Sequence, residues 1–144
     1  MRAFRHIALV VLAIGAASGV RADPSPAQAA SCVAALKVRA EPVAQRVRQG
    51  ETAAESQLLP IVTASFAFIG SAYKQGIRNP QADDMMKAAE KSQATLPPAE
   101  LGKLQDRCQA QGEQLLAQAN YFERQFVTRA AHSRIDRLRR SASS

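Results

Sequence analysis

Residues 52–76 read TAAESQLLPIVTASFAFIGSAYKQG, and this stretch decides the fold class. Thr52-Ala53-Ala54-Glu55 has the form of a capping box, in which a threonine hydroxyl accepts from a backbone N–H three residues on while the glutamate reaches back. Behind it Leu58, Leu59, Ile61, Val62, Phe66, Phe68, Ile69, Ala72 and Tyr73 make a helix apolar on nearly every side, and Gly76 supplies a stop. A helix without a polar face has to be wrapped by other elements. The run Leu58 to Gly70 is 13 residues, short of the roughly 20 that span a bilayer, so a buried core helix is expected. Pro60 either kinks its first turns or marks its true start.

The surrounding sequence offers only helices to do the wrapping. Of 144 residues 29 are alanine, and seven glycines and seven prolines are too few for a loop-rich β fold. Ser25-Pro26-Ala27-Gln28 combines a preferred N-cap, a proline at the first helical position and Gln at N3, which starts a first helix. Its stripe is Cys32, Leu36, Ala40, Val43 and Val47, and Pro42 either kinks it or divides it near Arg39. Asn79-Pro80 opens a short third helix, with Asp83 and Asp84 at the positive end of its dipole and Ala82, Met85, Met86 and Ala89 as its core face. Pro97-Pro98 starts a fourth, with the stripe Leu101, Leu104, Cys108, Leu115, Ala119, Phe122 and Phe126.

If these four helices alternate in direction, a rise of 1.5 Å per residue places Cys32 about 10 Å and Cys108 about 7 Å above the same base. The expectation is an all-α, four-helix up-down bundle over residues 23–126, pinned by Cys32–Cys108 with the first helix beside the fourth. The fourth helix reaches the base near Gln111 to Glu113, so Gly112 or Asn120 should break it. Leu115, Leu116, Phe122 and Phe126 then pack back on the bundle or meet another chain, which makes a homodimer one expectation. The terminal Ser141-Ala142-Ser143-Ser144 reads as frayed.

Residues 1–22 read as an address. Arg2 and Arg5 precede an apolar segment from Ile7 to Val20, and Val20-Arg21-Ala22 fits a cleavage site after Ala22, so a periplasmic or secreted protein is expected. An uncleaved anchor is the competing reading, but 14 apolar residues are short for a span. In an oxidising compartment an isolated cysteine pair becomes a disulfide rather than two buried thiols.

Charge is segregated along the chain. The whole sequence carries +7, whereas residues 23–144 hold 16 basic and 12 acidic residues, a net +4. Residues 124–140 alone contribute six arginines against Asp136, so the rest of the mature chain is nearly neutral. Within residues 127–144, Val127, Ala131, Ile135 and Leu138 share one stripe among Arg129, Arg134, Arg137, Arg139 and Arg140. An extended basic amphipathic helix is expected there. Such a helix engages an anionic membrane surface or an acidic envelope partner, or simply stands solvated. Nucleic acid is the weaker candidate, because the segment is short and the chain is read as exported.

The remaining chemistry is sparse. After residue 22 the lone histidine is His132, and no nucleophile and base pair with it, so no catalytic site is expected. Two cysteines and one histidine lack zinc-site spacing, and no Cys-x-x-Cys-His attaches haem, so no cofactor is expected. The alternative is a haem- or metal-binding carrier using Met85 or Met86 with His132, against the plainer use of methionine to fill core gaps. Asp83 and Asp84 diverge by about 100° on a helix and form no acid and base pair. These features together lead to a non-enzymatic interaction or adaptor protein of the cell envelope.

Overall fold

A computed structural model describes residues 22–141. The expected export segment lies outside the described residues except for Ala22, and of the terminal four residues Ser141 alone is described. Five helices and no strand form among the described residues: α1 (Pro26–Arg48), α2 (Thr52–Lys74), α3 (Gln81–Gln93), α4 (Pro98–Gln118) and α5 (Tyr121–Ser141).

α1 starts where its sequence says, with the Ser25 hydroxyl accepting from the Gln28 backbone N–H at 3.2 Å and Pro26 in the first turn. The Gln28 side chain does not close the box; its amide donates to Gln111 Oε1 on α4 at 3.4 Å. The box expected at Thr52 is absent, because Glu51 is the N-cap of α2 and makes no side-chain cap bond. Pro42 and Pro60 both lie inside continuous helices, so neither divides its element. α1 and α2 end alike. Gly50 and Gly76 take φ of +85° and +88°, and the next residues donate back, Glu51 to Arg46 O at 3.0 Å and Ile77 to Ala72 O at 3.1 Å. That left-handed turn favours glycine, which lacks the Cβ that would clash there.

The short turn after α1 folds α2 back against it, and the hairpin carries a core cluster at each end. One cluster joins Ala29, Cys32 and Leu36 of α1 to Ile61, Ala64 and Phe68 of α2 and Cys108 of α4. The other joins Ala44 and Val47 to Ala54, Leu58 and Val62, with Ala131, Ile135 and Leu138 of α5. α2 is long and apolar enough to cross a membrane, yet here α1, α4 and α5 pack around it.

α4 covers the first cluster. Its residues meet α1 in reverse order: Gln105 Nε2 donates to Ala35 O at 3.2 Å, Cys108 is bonded to Cys32, and Gln111 meets Gln28. The disulfide joins Cα atoms 5.2 Å apart, and both cysteines are buried. Facing α2, Gly112 comes so close that a Cβ built on it would stand 2.6 Å from the Cβ of Ala64. Gly112 is therefore a crossing point inside α4, not a break. α3 rests on α1 through Lys37–Glu90 at 2.7 Å and the Gln93 amide donating to Ser31 O at 2.8 Å. Its expected core residues Ala82, Met85, Met86 and Ala89 are half-buried.

The largest departure from expectation follows Gln118. Asn120 Oδ1 accepts from the Glu123 N–H at 2.9 Å and Glu123 Oε2 accepts from the Asn120 N–H at 3.0 Å, a reciprocal box that ends one helix and starts the next. α5 then runs back along α2, from Lys74–Glu123 at 3.0 Å near its start to Glu55–Arg139 at 3.6 Å near its end. In place of four helices and an extension from residue 127 the described residues form five helices, and the boundary expected at 126 falls inside α5. Val127, Ala131, Ile135 and Leu138 are buried. Burial of Val, Ile and Leu contributes about 1.5–3 kcal/mol each, which draws the stripe onto the hairpin rather than into water.

Candidate binding face on the last helix

With its apolar stripe turned inward, α5 shows its other residues to solvent. Arg129, Arg134, Arg137, Arg139 and Arg140 are all exposed. They do not act as one set. Arg139 is tied to Glu55 of α2 and to Asp136 one turn earlier, and Arg137 donates to the Ser133 hydroxyl at 2.7 Å. Arg129 and Arg134 make no ion pair or side-chain hydrogen bond among the described residues. A cation without a protein partner keeps its whole charge for an external anion.

Turning each residue of α5 by 100° places Phe122, Phe126, Arg129, Ser133, Arg137 and Arg140 within an arc of about 80° on the side away from the core. Arg134 and Arg139 flank it on opposite sides. Phe122 and Phe126 are 81% and 67% exposed. The spacing in the sequence puts both on the stripe of the fourth helix; the Asn120–Glu123 box resets the helical phase and turns them outward. The signal was present as Asn-x-x-Glu, a capping box in a different residue pair from those recognised.

The phenylalanines border a cleft of about 490 Å³ formed with the end of α4 and the last turns of α2. Its walls are apolar, including Ile69, Leu115, Leu116 and Ala119, and Tyr73 stands at its edge. Lys74 and Glu123 also line it. Their hydrogen bond is the leading cause of raising the Lys74 ammonium and lowering the Glu123 carboxyl from their ordinary pKa values, and the Asn120 N–H lowers Glu123 further.

The residues of the carrier alternative are not brought together. Met85 and Met86 line a second cleft, of about 410 Å³, with Ala29 and Val33 of α1 and Ala72 and Tyr73 of α2. Ala131, beside His132, packs on Ala54 and Leu58 near the opposite end of α2. Ten or more residues of helix, from Leu58 to Phe68 at the edge of that cleft and beyond, about 15 Å or more, separate these levels, so His132 and the methionines share no axial site. No group of three or more His, Cys, Asp or Glu side chains suited to a metal ion occurs among the described residues. Comparison with protein-family models, curated proteins and solved structures gives no match to this chain.

Proposed function

We propose that the protein is an exported, non-enzymatic interaction protein of the cell envelope, built as a disulfide-pinned helical bundle whose basic C-terminal helix engages an anionic partner or surface. The observation that carries this reading is the exposure of Arg129, Arg134, Arg137 and Arg140 on a helix whose opposite side is buried. Buried Val127, Ile135 and Leu138 hold the helix, so the backbone beneath the arginines is ordered before any partner binds and only the side chains lose freedom. The disulfide is compatible with export, since such bonds persist in oxidising compartments.

The test follows from the burial pattern. Deleting residues 127–144 would remove part of the core along with the charge, so neutralisation is the cleaner perturbation. The oxidised chain beginning at Asp23 and its R129Q/R134Q/R137Q/R140Q variant are immobilised and offered native envelope extract at low and high salt. The wild type is expected to retain material that elutes as ionic strength rises, and the variant to retain none of it. Equal retention by both would remove the arginine face from the function.

A further inference from the structure

The outer face of α5 is ordered along its length: Phe122 and Phe126 come first, then Arg129, Arg137 and Arg140, in a line of about 27 Å. Among the described residues Glu123 turns to Lys74, and Asp136, about 20° outside the arc of this line, turns to Arg139. At the phenylalanine end Ile69 of α2 is 45% exposed, which extends the apolar region to a second helix; the neighbouring Tyr73 ring carries the Arg78 guanidinium 3.4 Å from its centroid.

We propose that this face docks on an anionic lipid bilayer, with Phe122 and Phe126 entering the interfacial layer and Arg129, Arg137 and Arg140 meeting lipid phosphates. The proposal rests on the anionic-partner reading above and names the partner. Shape favours it: a row along one side of a helix can lie against a flat surface, and side chains as exposed as Phe122 enter a yielding medium without needing a preformed pocket. Charge favours it too. All six basic residues of α5 are arginines, whose planar fork pairs with phosphate oxygens two at a time. Apolar insertion and cationic attraction are each weak alone, and together they give stable attachment. A second copy of this chain fits less well, since two such faces would set arginine rows against each other, with Asp136, already paired to Arg139, as the carboxylate beside them.

The experiment is co-sedimentation of the oxidised chain beginning at Asp23 with vesicles of phosphatidylcholine alone or mixed with phosphatidylglycerol. Binding is expected to the mixed vesicles only and to weaken as salt is added. R129Q/R137Q/R140Q should bind about 100-fold more weakly, at about fivefold per charge. F122S/F126S should lose at least about tenfold, with an unchanged circular dichroism spectrum because both rings lie outside the core. Wild-type protein that ignores anionic vesicles overturns the proposal, as does an F122S/F126S variant that binds like wild type. If vesicle binding is absent while arginine-dependent capture from extract persists, or a nucleic acid or acidic protein is captured instead, the bilayer falls and the anionic-partner reading stands. Loss of both overturns both. Concentration-dependent dimerisation abolished by F122S/F126S, without vesicle binding, assigns the face to a second copy and also overturns it.

Discussion

Replacing Gly112 by alanine tests the packing of α4 on α2 more directly than any other single change. The added Cβ would stand 2.6 Å from Ala64 Cβ, 2.9 Å from its Cα and 3.0 Å from its carbonyl oxygen. Two of these three atoms are backbone, so no rotamer change relieves the clash. Restoring ordinary contact requires the helices to part by about 1 Å, one turn from the disulfide that holds α4 to α1. Overpacking of this kind costs about 1–3 kcal/mol, and the backbone contacts place it at the upper end. Alanine returns about 1 kcal/mol of helix propensity, leaving a net loss near 2 kcal/mol, or roughly 8 °C in Tm for a domain of this size. Gly102, in the same helix, is the internal control. A Cβ there meets nothing within 4 Å, so Gly102→Ala should stabilise by up to about 1 kcal/mol. Urea and thermal unfolding of the oxidised protein, followed by far-UV circular dichroism, read both. The G112A/A64G double variant, which deletes the facing Cβ, should be less destabilised than the sum of the single changes by about 1 kcal/mol. A neutral or stabilising Gly112→Ala would refute the crossing of α4 and α2 at this point.

Three further outcomes follow from the connections. Asn120→Ala removes the acceptor for the Glu123 N–H and should cost about 1 kcal/mol, read by urea denaturation, with α5 amides losing hydrogen-exchange protection first. The Glu123 carboxyl titrates below its ordinary value in the folded chain, chiefly through its bond to Lys74. The stability it contributes is therefore present above the ordinary carboxylate range and lost as pH falls through its depressed value. Lys74, raised above 10.5, loses its contribution as pH climbs beyond that value. The α5 docking should thus be flat between about pH 5 and 10, and Glu123→Gln, which can still accept from Asn120, should remove the acid-side decline in a pH series of unfolding midpoints. Reduction of Cys32–Cys108, which closes a separation of 76 residues, should lower unfolding free energy by about 4–5 kcal/mol in denaturation with and without reductant.

Much of this architecture is legible where a residue has one meaning. Ser25-Pro26 marks the start of α1, Pro98 the first turn of α4, and the apolar sides of α2 require neighbours all round. The meeting of Cys32 with Cys108 follows from helix rise once the helices are taken to alternate in direction. Legibility fails where one residue has two meanings that a distant partner decides. Gly112 reads equally as a break or a close approach, and Ala64 on another helix settles it. The stripe Val127, Ala131, Ile135 and Leu138 has the spacing of a membrane-surface helix and of a core helix, since periodicity records amphipathicity and not what lies opposite. Asn120 and Glu123 are a different case: their Asn-x-x-Glu spacing suffices to start a new helix and so to turn Phe122 and Phe126 outward. The arginine face was legible in composition, but the separation of tied Arg139 from Arg129 and Arg134 depends on where Glu55 falls on α2.

The inward turn of the α5 stripe limits the mechanisms open to a surface helix. A helix that bound by laying its apolar stripe into a membrane would first have to leave the hairpin. Exposing Val127, Ile135 and Leu138 would cost about 4.5–9 kcal/mol from side-chain burial alone, a factor of more than about 10³ against the binding-competent state. That penalty would be subtracted from any affinity gained. The outward residues need no such opening, because Phe122, Phe126 and the arginines are already displayed in the folded chain. Binding through this face should proceed without change in helical content and without undocking of α5. A cysteine pair introduced to lock α5 to α2 would separate the two routes: a stripe-mediated mechanism is abolished by the lock, whereas a face-mediated one is indifferent to it.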